Sequence, residues 1–242
     1  AQGAEAVRLL LTRADPDNQR ITARFEALGV TCISWPLTHV EIRGADPAPG
    51  GTQALFFTSA NGVAAWVGSQ PMRDLPAFCV GPHTARTARS AGFRDVRESE
   101  SGVPGLLKDA AAENIRVGHY LRGADIAHDL IAHMGEAGIT VSEQVVYASV
   151  PTTGPPDRAH DALSRCEIDM ISVWSPRGAK LFRDQIGGID GFRPGSTDLL
   201  AISENAAAPL EPAGFRRIYV SKTPDADAMV LEISAALRQN AR

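Results

Sequence analysis

Several residue patterns typical of metal centres, disulfide frameworks and membrane spans are missing from this sequence of 242 residues. Its three cysteines, Cys32, Cys79 and Cys166, lie far apart and form no CxxC pair, so neither a zinc site nor a disulfide framework is indicated. Its apolar runs are far shorter than the roughly 20 residues that cross a bilayer. The first ten residues lack the regions of a signal peptide. We therefore expect a cytoplasmic protein that does not enter a membrane.

An excess of positive charge is missing as well. The 24 Lys and Arg residues are outnumbered by 28 Asp and Glu residues, which leaves a net charge of −4. Binding to nucleic acid is therefore not expected, because it requires clustered cations that neutralise phosphates. The sequence also has no P-loop, no GxGxxG turn after a strand and no HExxH motif. The 242 residues are enough for one large or two modest domains, and the apolar content of 44% is that of an ordinary soluble globular protein.

Short apolar runs rich in β-branched residues alternate with helical stretches along the chain. Strands are predicted at residues 7–12, 30–35, 54–58 and 77–80, and helices at residues 17–28, 62–68 and 82–91. Gly29 and Gly92 are expected to end the first and third of these helices. This alternation predicts an α/β fold with mostly parallel sheets.

The second half of the chain repeats the first in the same order. Four segments resemble four later ones, namely 11–37 and 121–147, 56–63 and 172–179, 80–96 and 202–218, and 102–112 and 222–237. One such pairing could arise by chance, but four in order indicate an internal duplication. We therefore predict two similar flavodoxin-like lobes.

Two alternating segments, 37–43 and 145–151, occupy the same place in each repeat and are followed by stretches rich in Pro and Gly. We interpret them as linker strands that pair as a two-stranded β ladder between the lobes. The first lobe would then be discontinuous, formed by residues 1–36 and 152–242, and the second would comprise residues 44–144. Ligands of open α/β sheets bind beyond the carboxyl ends of the strands, so a cleft shared by the lobes is expected.

Small polar residues follow several predicted strands and are the candidates for binding an anionic ligand near helix N-termini. In the first half these are Ser59, Asn61 and Thr84, and in the second half Ser175 and Ser203, with the larger Arg177 in the same turn as Ser175. For the hydroxyl and amide residues, helix capping is the alternative role. Arg177 adds a cation that could pair with a carboxylate.

Three larger polar residues are also candidates. Arg13 and Arg122 each end the first strand of a repeat, where an unpaired guanidinium would be costly to bury; a surface ion pair is the alternative. Tyr147 lies in the second linker strand, and its phenol can donate or accept a proton. Its alternative role is that of an aromatic residue packed on a sheet.

The order and spacing of these segments resemble the uroporphyrinogen-III synthase family. The resemblance is carried by "LLLTRA" at 9–14, "FFTSANGV" at 56–63, "FCVGPHTARTARSAGF" at 78–93, "SVWSPRGAKLF" at 172–182 and "LAISENAAAPLEPAGF" at 200–215, and by residues 28–41 and 120–151. It implies two α/β domains joined by a two-stranded ladder. It also implies an enzyme that needs no metal or organic cofactor and closes the linear octacarboxylate hydroxymethylbilane to uroporphyrinogen III.

The resemblance further implies the chemistry. Loss of the hydroxymethyl oxygen as water gives an azafulvenium cation, and attack at the substituted position of the terminal ring gives a spiro intermediate that reopens and closes with this ring inverted. The family's connector tyrosine falls on Tyr147, its cleft threonine on Thr84, and its turn serines on Ser59 and Ser175.

The sequence departs from the family's pattern at three positions. A second-half threonine is replaced by Ala206, Glu204 adds a negative charge beside it, and an arginine of the first turn is replaced by Asn61. These departures leave the fold prediction intact and concern the contacts to substrate. A monomer is expected, with hydroxymethylbilane synthase as the enzyme that hands over the substrate.

Two other functions fit the same pattern. One is a non-catalytic tetrapyrrole-binding or sensor domain built on the same scaffold. The other is a periplasmic-type binding protein, which the missing signal peptide disfavours.

Overall fold

A computed structural model describes residues 6–15, 17–99, 101–125 and 130–240 of the chain. The chain divides into two compact units. One consists of the segment that ends at His39 together with the segment that begins at Pro151, and the other is Val40–Val150.

Within the described residues, strands and helices alternate along the chain. The strands are β1 (Arg8–Leu11), β2 (Thr31–Ser34), β3 (Thr38–Ile42), β4 (Ala54–Phe57), β5 (Ala77–Val80), β6 (Val96–Ser99), β7 (Val117–Gly123), β8 (Thr140–Pro151), β9 (Met170–Val173), β10 (Asp198–Ala201) and β11 (Ile218–Val220). The helices are α1 (Asp17–Glu26), α2 (Ala60–Ser69), α3 (Gly81–Ser90), α4 (Gly102–Ala112), α5 (Leu130–Glu136), α6 (Asp157–Ser164), α7 (Pro176–Ile186), α8 (Glu204–Ala207) and α9 (Ala226–Asn240).

The discontinuous unit contains a five-stranded sheet in the order β11-β10-β9-β1-β2, and its neighbouring strands are parallel. Side chains of successive strand residues point to opposite faces. Leu10 accordingly belongs to a core that includes residues of α6 and α7, whereas Leu9 and Leu11 belong to a core that includes residues of α1 and α9. Burial on both faces explains why three consecutive leucines, Leu9–Leu11, follow Arg8 in strand β1.

The continuous unit contains β8-β7-β4-β5-β6, again with parallel neighbours, and β3 pairs with the outer side of β8. The amide of Arg43 donates to the carbonyl of Val146, and the amide of Thr152 donates to the carbonyl of Leu37. These two bonds have the sense expected of antiparallel strands. That the paired segments 37–43 and 145–151 link two lobes stays a prediction.

The strand orders of the two sheets correspond. In the first sheet, β2-β1-β9-β10-β11 is the order 2-1-3-4-5 when the strands are counted along the chain. In the second sheet, β7 and β8 take the places of β1 and β2, and β4, β5 and β6 take those of β9, β10 and β11. The predicted α/β fold with predominantly parallel sheets is confirmed.

The predicted elements differ from the observed ones mainly at their ends. Helix α1 ends at Glu26 rather than at residue 28, and Gly29 follows in a left-handed conformation with φ of 80°. Strand β8 begins at Thr140, so the predicted linker strand at 145–151 is the second part of a longer strand. Among the described residues, no helix has both the length and the apolar character needed to cross a membrane.

Candidate functional site

Polar residues gather at the carboxyl edge of each sheet, where parallel α/β sheets bind ligands. In the discontinuous unit, Arg13 follows β1, Ser175 follows β9 and Ser203 follows β10. These three strands are neighbours in the sheet, so the sheet order brings the three predicted residues to one edge. Arg177, in the first turn of α7, is exposed at the same end of that helix.

Two of these residues are helix caps. The Ser175 hydroxyl accepts a hydrogen bond of 2.9 Å from the amide of Gly178, and the Ser203 hydroxyl accepts one of 3.3 Å from the amide of Ala206. A cap supplies an acceptor to an amide that the helix itself leaves unpaired. Because the serine oxygen only accepts in this bond, its own proton can still be donated to a ligand.

Arg13 forms an ion pair with Asp17, which corresponds to the surface ion pair given above as its alternative role. Its Nη2 atom lies 2.6 Å from the Asp17 carboxylate, and its guanidinium carbon lies 4.8 Å from the ring centroid of Trp174. The side chain retains about a third of its exposure. It is therefore held in place by a carboxylate and an aromatic ring while part of its surface faces solvent.

In the continuous unit, Ser59 and Asn61 lie in the turn between β4 and α2. Ser59 is the N-cap of α2, and its hydroxyl accepts a 3.2 Å hydrogen bond from the amide of Asn61. Thr84 is not a cap. It lies in the second turn of α3, whose N-cap is Val80 and has no side-chain capping bond, and the Thr84 side chain is buried.

Arg122 and Tyr147 lie on the neighbouring strands β7 and β8. The guanidinium of Arg122 binds both carboxylate oxygens of Glu143, with Nε–Oε2 and Nη2–Oε1 distances of 2.5 and 3.1 Å. These bonds are the main cause that raises the pKa of Arg122 above its usual value. The register of the two strands shifts after Arg122, so that Gly123 lies opposite Tyr147.

The ring of Tyr147 lies against the backbone of Gly123. A Cβ atom placed on Gly123 would be 2.7 Å from Cε2 and 2.9 Å from Cζ of that ring. The ring also packs partly against the core that contains Trp66 and Val146. Tyr147 thus packs as an aromatic residue on the sheet, which was its alternative role, and its ring lies at the carboxyl end of β7.

Two residues at this edge, Tyr120 and Thr58, were not predicted from the sequence. Tyr120, on β7, is buried, and its phenol oxygen lies 2.9 Å from the hydroxyl oxygen of Thr58, the residue after β4. Burial raises the pKa of Tyr120, the Thr58 hydrogen bond opposes this, and the nearby Tyr147 raises it further. The one available signal was that Tyr120 and Arg122, two residues apart on a strand, share one face of the sheet. The contact of Tyr120 with Thr58 joins residues 62 positions apart in the sequence, so no local pattern indicates it.

Two of the cysteines, Cys32 and Cys79, do not add a reactive group to these edges. Burial is the main cause that raises the pKa of Cys79 to about 12 and that of Cys32 to about 11. Both thiols are therefore poor nucleophiles near neutral pH. Among the described residues, no cluster of three or more His, Cys, Asp or Glu side chains is arranged to hold a metal ion.

The family model described as "Uroporphyrinogen-III synthase HemD" matches residues 19–231 of the chain. The uroporphyrinogen-III synthetase of Helicobacter pylori 26695 has a similar crystal structure, with a TM-score of 0.60 and 19% identity over 96% of this chain and 99% of that one. A mutant uroporphyrinogen III synthase of the extremely thermophilic bacterium Thermus thermophilus aligns over 97% of this chain and 100% of its own, with a TM-score of 0.48 and 19% identity. No curated protein sequence matches the chain.

Proposed function

The chain belongs to the uroporphyrinogen-III synthase family, and from this premise we propose how its own residues carry out the reaction. As an enzyme of this family, it is a lyase that closes linear hydroxymethylbilane to uroporphyrinogen III. The closure inverts the terminal pyrrole ring and releases water. The match of the family model over residues 19–231 is the observation that carries this function.

The carboxylates of the substrate are bound, in this proposal, by the polar residues at the carboxyl edges of the two sheets. Hydroxyl groups that cap helices keep a proton to donate, and helix N-termini favour anions. The residues assigned to binding are Arg13, Ser59, Asn61, Thr84, Arg122, Ser175, Arg177 and Ser203. The paired guanidiniums of Arg13 and Arg122 contribute ordered N–H donors, since their ion pairs limit the positions that the side chains can take.

Tyr147 is the residue that we assign to proton transfer. Its phenol donates a proton to the departing hydroxyl group as the carbon–oxygen bond breaks, which releases water and leaves a cation on the substrate. The proton lost when the closed ring regains its pyrrole form can restore the phenol. Such acid catalysis contributes typically about 10² to 10⁴-fold. Holding the two ends of the linear substrate together contributes more to the rate, because effective molarities reach about 10⁵ M or higher.

The finer architecture is part of the same proposal. We infer that the chain arose by duplication, because the second sheet repeats the strand order of the first with β7 and β8 in the places of β1 and β2. In a duplicated chain, β3 and β8 would serve as the ladder that connects two lobes. The enzyme is proposed to act as a cytoplasmic monomer that receives its substrate from hydroxymethylbilane synthase.

Product analysis distinguishes this function from that of a non-catalytic binding or sensor domain. The wild-type chain is incubated with hydroxymethylbilane, and the uroporphyrinogen isomers are separated. We expect the type III isomer to form faster than the spontaneous, unrotated closure. Formation of the type I isomer alone, at the spontaneous rate, would favour the sensor domain.

Replacement of one phenol tests the role of Tyr147. We expect Tyr147→Phe to lower kcat about 100-fold, because the ring still packs on Gly123 but has no proton to give. Tyr219→Phe is the matched control, since Tyr219 lies on β11 of the other sheet and also loses only a hydroxyl. An unchanged kcat in Tyr147→Phe, with the wild-type free energy of unfolding, would remove Tyr147 from the mechanism.

A further inference from the structure

Tyr120 and Thr58 form a hydroxyl pair at the carboxyl edge of the second sheet. The phenol belongs to β7 and the threonine follows β4, its neighbour in the sheet. The two oxygens are 2.9 Å apart. Tyr120 is only 6% exposed, whereas Thr58 is partly exposed. The pair therefore has a buried member and a member that reaches the edge where ligands of such sheets bind.

The direction of this hydrogen bond follows from the partners that each hydroxyl has. Among the described residues, Thr58 is the one hydrogen-bond partner of the Tyr120 phenol. If Thr58 donated the bond, the phenolic proton would be left buried without an acceptor, which is costly. A phenol is also more acidic than an aliphatic alcohol and hence the better donor. Tyr120 accordingly donates, and the Thr58 oxygen accepts.

This direction leaves the proton of Thr58 available. Within the described part of the chain, the Thr58 hydroxyl has no second partner that could accept its proton. A hydroxyl that accepts one hydrogen bond becomes a better donor of the next. The adjacent Ser59 hydroxyl accepts a bond from the Asn61 amide and keeps its proton too, so two neighbouring side chains can donate at this turn.

We propose that Thr58 donates a hydrogen bond to a carboxylate of the tetrapyrrole substrate, and that Tyr120 is the positioning residue that holds the Thr58 hydroxyl ready to donate. This assignment rests on the proposed function, and it adds two residues to the contacts of that same substrate. Burial raises the pKa of Tyr120, so the phenol keeps the proton that it donates at neutral and mildly alkaline pH.

Three variants, built from two substitutions, separate a positioning role of Tyr120 from a purely structural one. Tyr120→Phe removes the donor to Thr58, Thr58→Val removes the donor to the substrate, and the double variant replaces both hydroxyls by apolar groups. We expect KM for hydroxymethylbilane to rise about 10-fold in Thr58→Val, the size expected for one hydrogen bond to a charged group. Tyr120→Phe should raise KM by less, with kcat within about 2-fold of the wild type in both.

The double variant gives the decisive readout. Its KM should equal that of Thr58→Val alone, because Tyr120 acts only through Thr58. Its free energy of unfolding should exceed that of Thr58→Val, since that single variant leaves the buried Tyr120 phenol without a partner, whereas replacing both partners leaves no unpaired group. Thr58→Ser keeps the hydroxyl and should keep the wild-type KM. Tyr219→Phe again controls for the loss of a phenolic hydroxyl elsewhere.

The outcomes also separate this inference from the proposed function. Wild-type KM in folded Thr58→Val, with the wild-type chain forming the type III isomer, would overturn the inference and leave the function standing. KM increases of Tyr120→Phe and Thr58→Val that multiply in the double variant would overturn the positioning role of Tyr120. If the wild-type chain forms only the type I isomer, both the function and the inference fall.

Discussion

At the scale of single residues, the candidate site depends on a position that has no side chain. Gly123 lies opposite Tyr147 across β7 and β8, and its missing Cβ makes room for the tyrosine ring. Its φ is not in the left-handed region, so the glycine is required here for close approach and not for backbone conformation. The same register shift, which follows Arg122, brings the ring to the end of the strand.

A substitution of this glycine should therefore act on the tyrosine ring. In Gly123→Ala, the new Cβ would lie 2.7 Å from Cε2 of Tyr147, so the ring must turn away. We expect kcat to fall about 10-fold and the free energy of unfolding to fall by about 1 kcal/mol, as for an overpacked contact. Steady-state kinetics and urea unfolding measure the two effects.

The control for this substitution is Gly68→Ala. Gly68 lies in helix α2, and a Cβ on it would meet nothing within 4 Å. Alanine is preferred to glycine inside a helix, so this variant should gain about 0.5–1 kcal/mol and keep the wild-type kcat. If Gly123→Ala behaved in the same way, the position of the Tyr147 ring would be irrelevant to turnover.

At the scale of elements, three strand-to-helix turns share one feature, a serine that caps the helix N-terminus. Ser59, Ser175 and Ser203 are the N-caps of α2, α7 and α8, and each closely follows the end of a strand in a parallel sheet. Each cap satisfies an amide at the helix N-terminus and leaves a serine proton at the sheet edge. Structural and binding roles therefore coincide in one side chain, and substitution by alanine would remove both.

Two substitutions of Ser175 should separate its roles. Ser175→Ala removes the 2.9 Å bond from the Gly178 amide, and we expect it to destabilise the chain by about 1 kcal/mol and to raise KM. Ser175→Asp keeps a good cap but places a negative charge near a substrate carboxylate. It should retain the wild-type free energy of unfolding while raising KM further than alanine does. Equal KM values for Ser175→Asp and the wild type would argue against contact of substrate with this turn.

At the scale of the whole molecule, each compact unit has its own buried residues on both faces of its sheet. The continuous unit also buries a titratable group. His119, on β7, is 4% exposed; its Nδ1 lies 2.8 Å from the Ser142 hydroxyl, and its Nε2 is buried without a hydrogen-bond partner among the described residues. Burial is the largest cause that lowers the pKa of His119 below its usual 6.5.

The lowered pKa predicts a loss of stability in acid. Below pH 6.5 the unfolded chain protonates His119 before the folded chain does, so the unfolded state binds more protons. The free energy of unfolding should therefore be unaffected by His119 above about pH 7 and should fall as pH decreases through about 6.5, by at most about 1.4 kcal/mol per pH unit.

Urea unfolding at several pH values between about 5 and 8, followed by hydrogen exchange in residues 117–123, measures this dependence. His119→Phe should flatten the part of the slope that His119 causes. An identical slope in His119→Phe and the wild type would show that other groups cause the acid sensitivity.

The sequence by itself determined where most elements of this fold lie. Strand β5 at Ala77–Val80 was predicted to the residue, because apolar runs and helical periodicity are local properties of the chain. The carboxyl-edge positions of Ser59 and Ser175 followed from the same local signals, since a strand end and a cap can be recognised within a few residues.

Only the tertiary structure decided which side chains meet. Arg122 binds Glu143, 21 positions away in the sequence, and Tyr120 shares a hydrogen bond with Thr58, 62 positions away. Strand order and register bring these residues together, and no local sequence pattern encodes either. A shift of register by one residue would turn every side chain of a strand to the other face, so these contacts depend on how whole strands align. The chemistry proposed for this edge therefore depends on long-range sheet assembly, whereas the strands and helices themselves depend on short-range sequence.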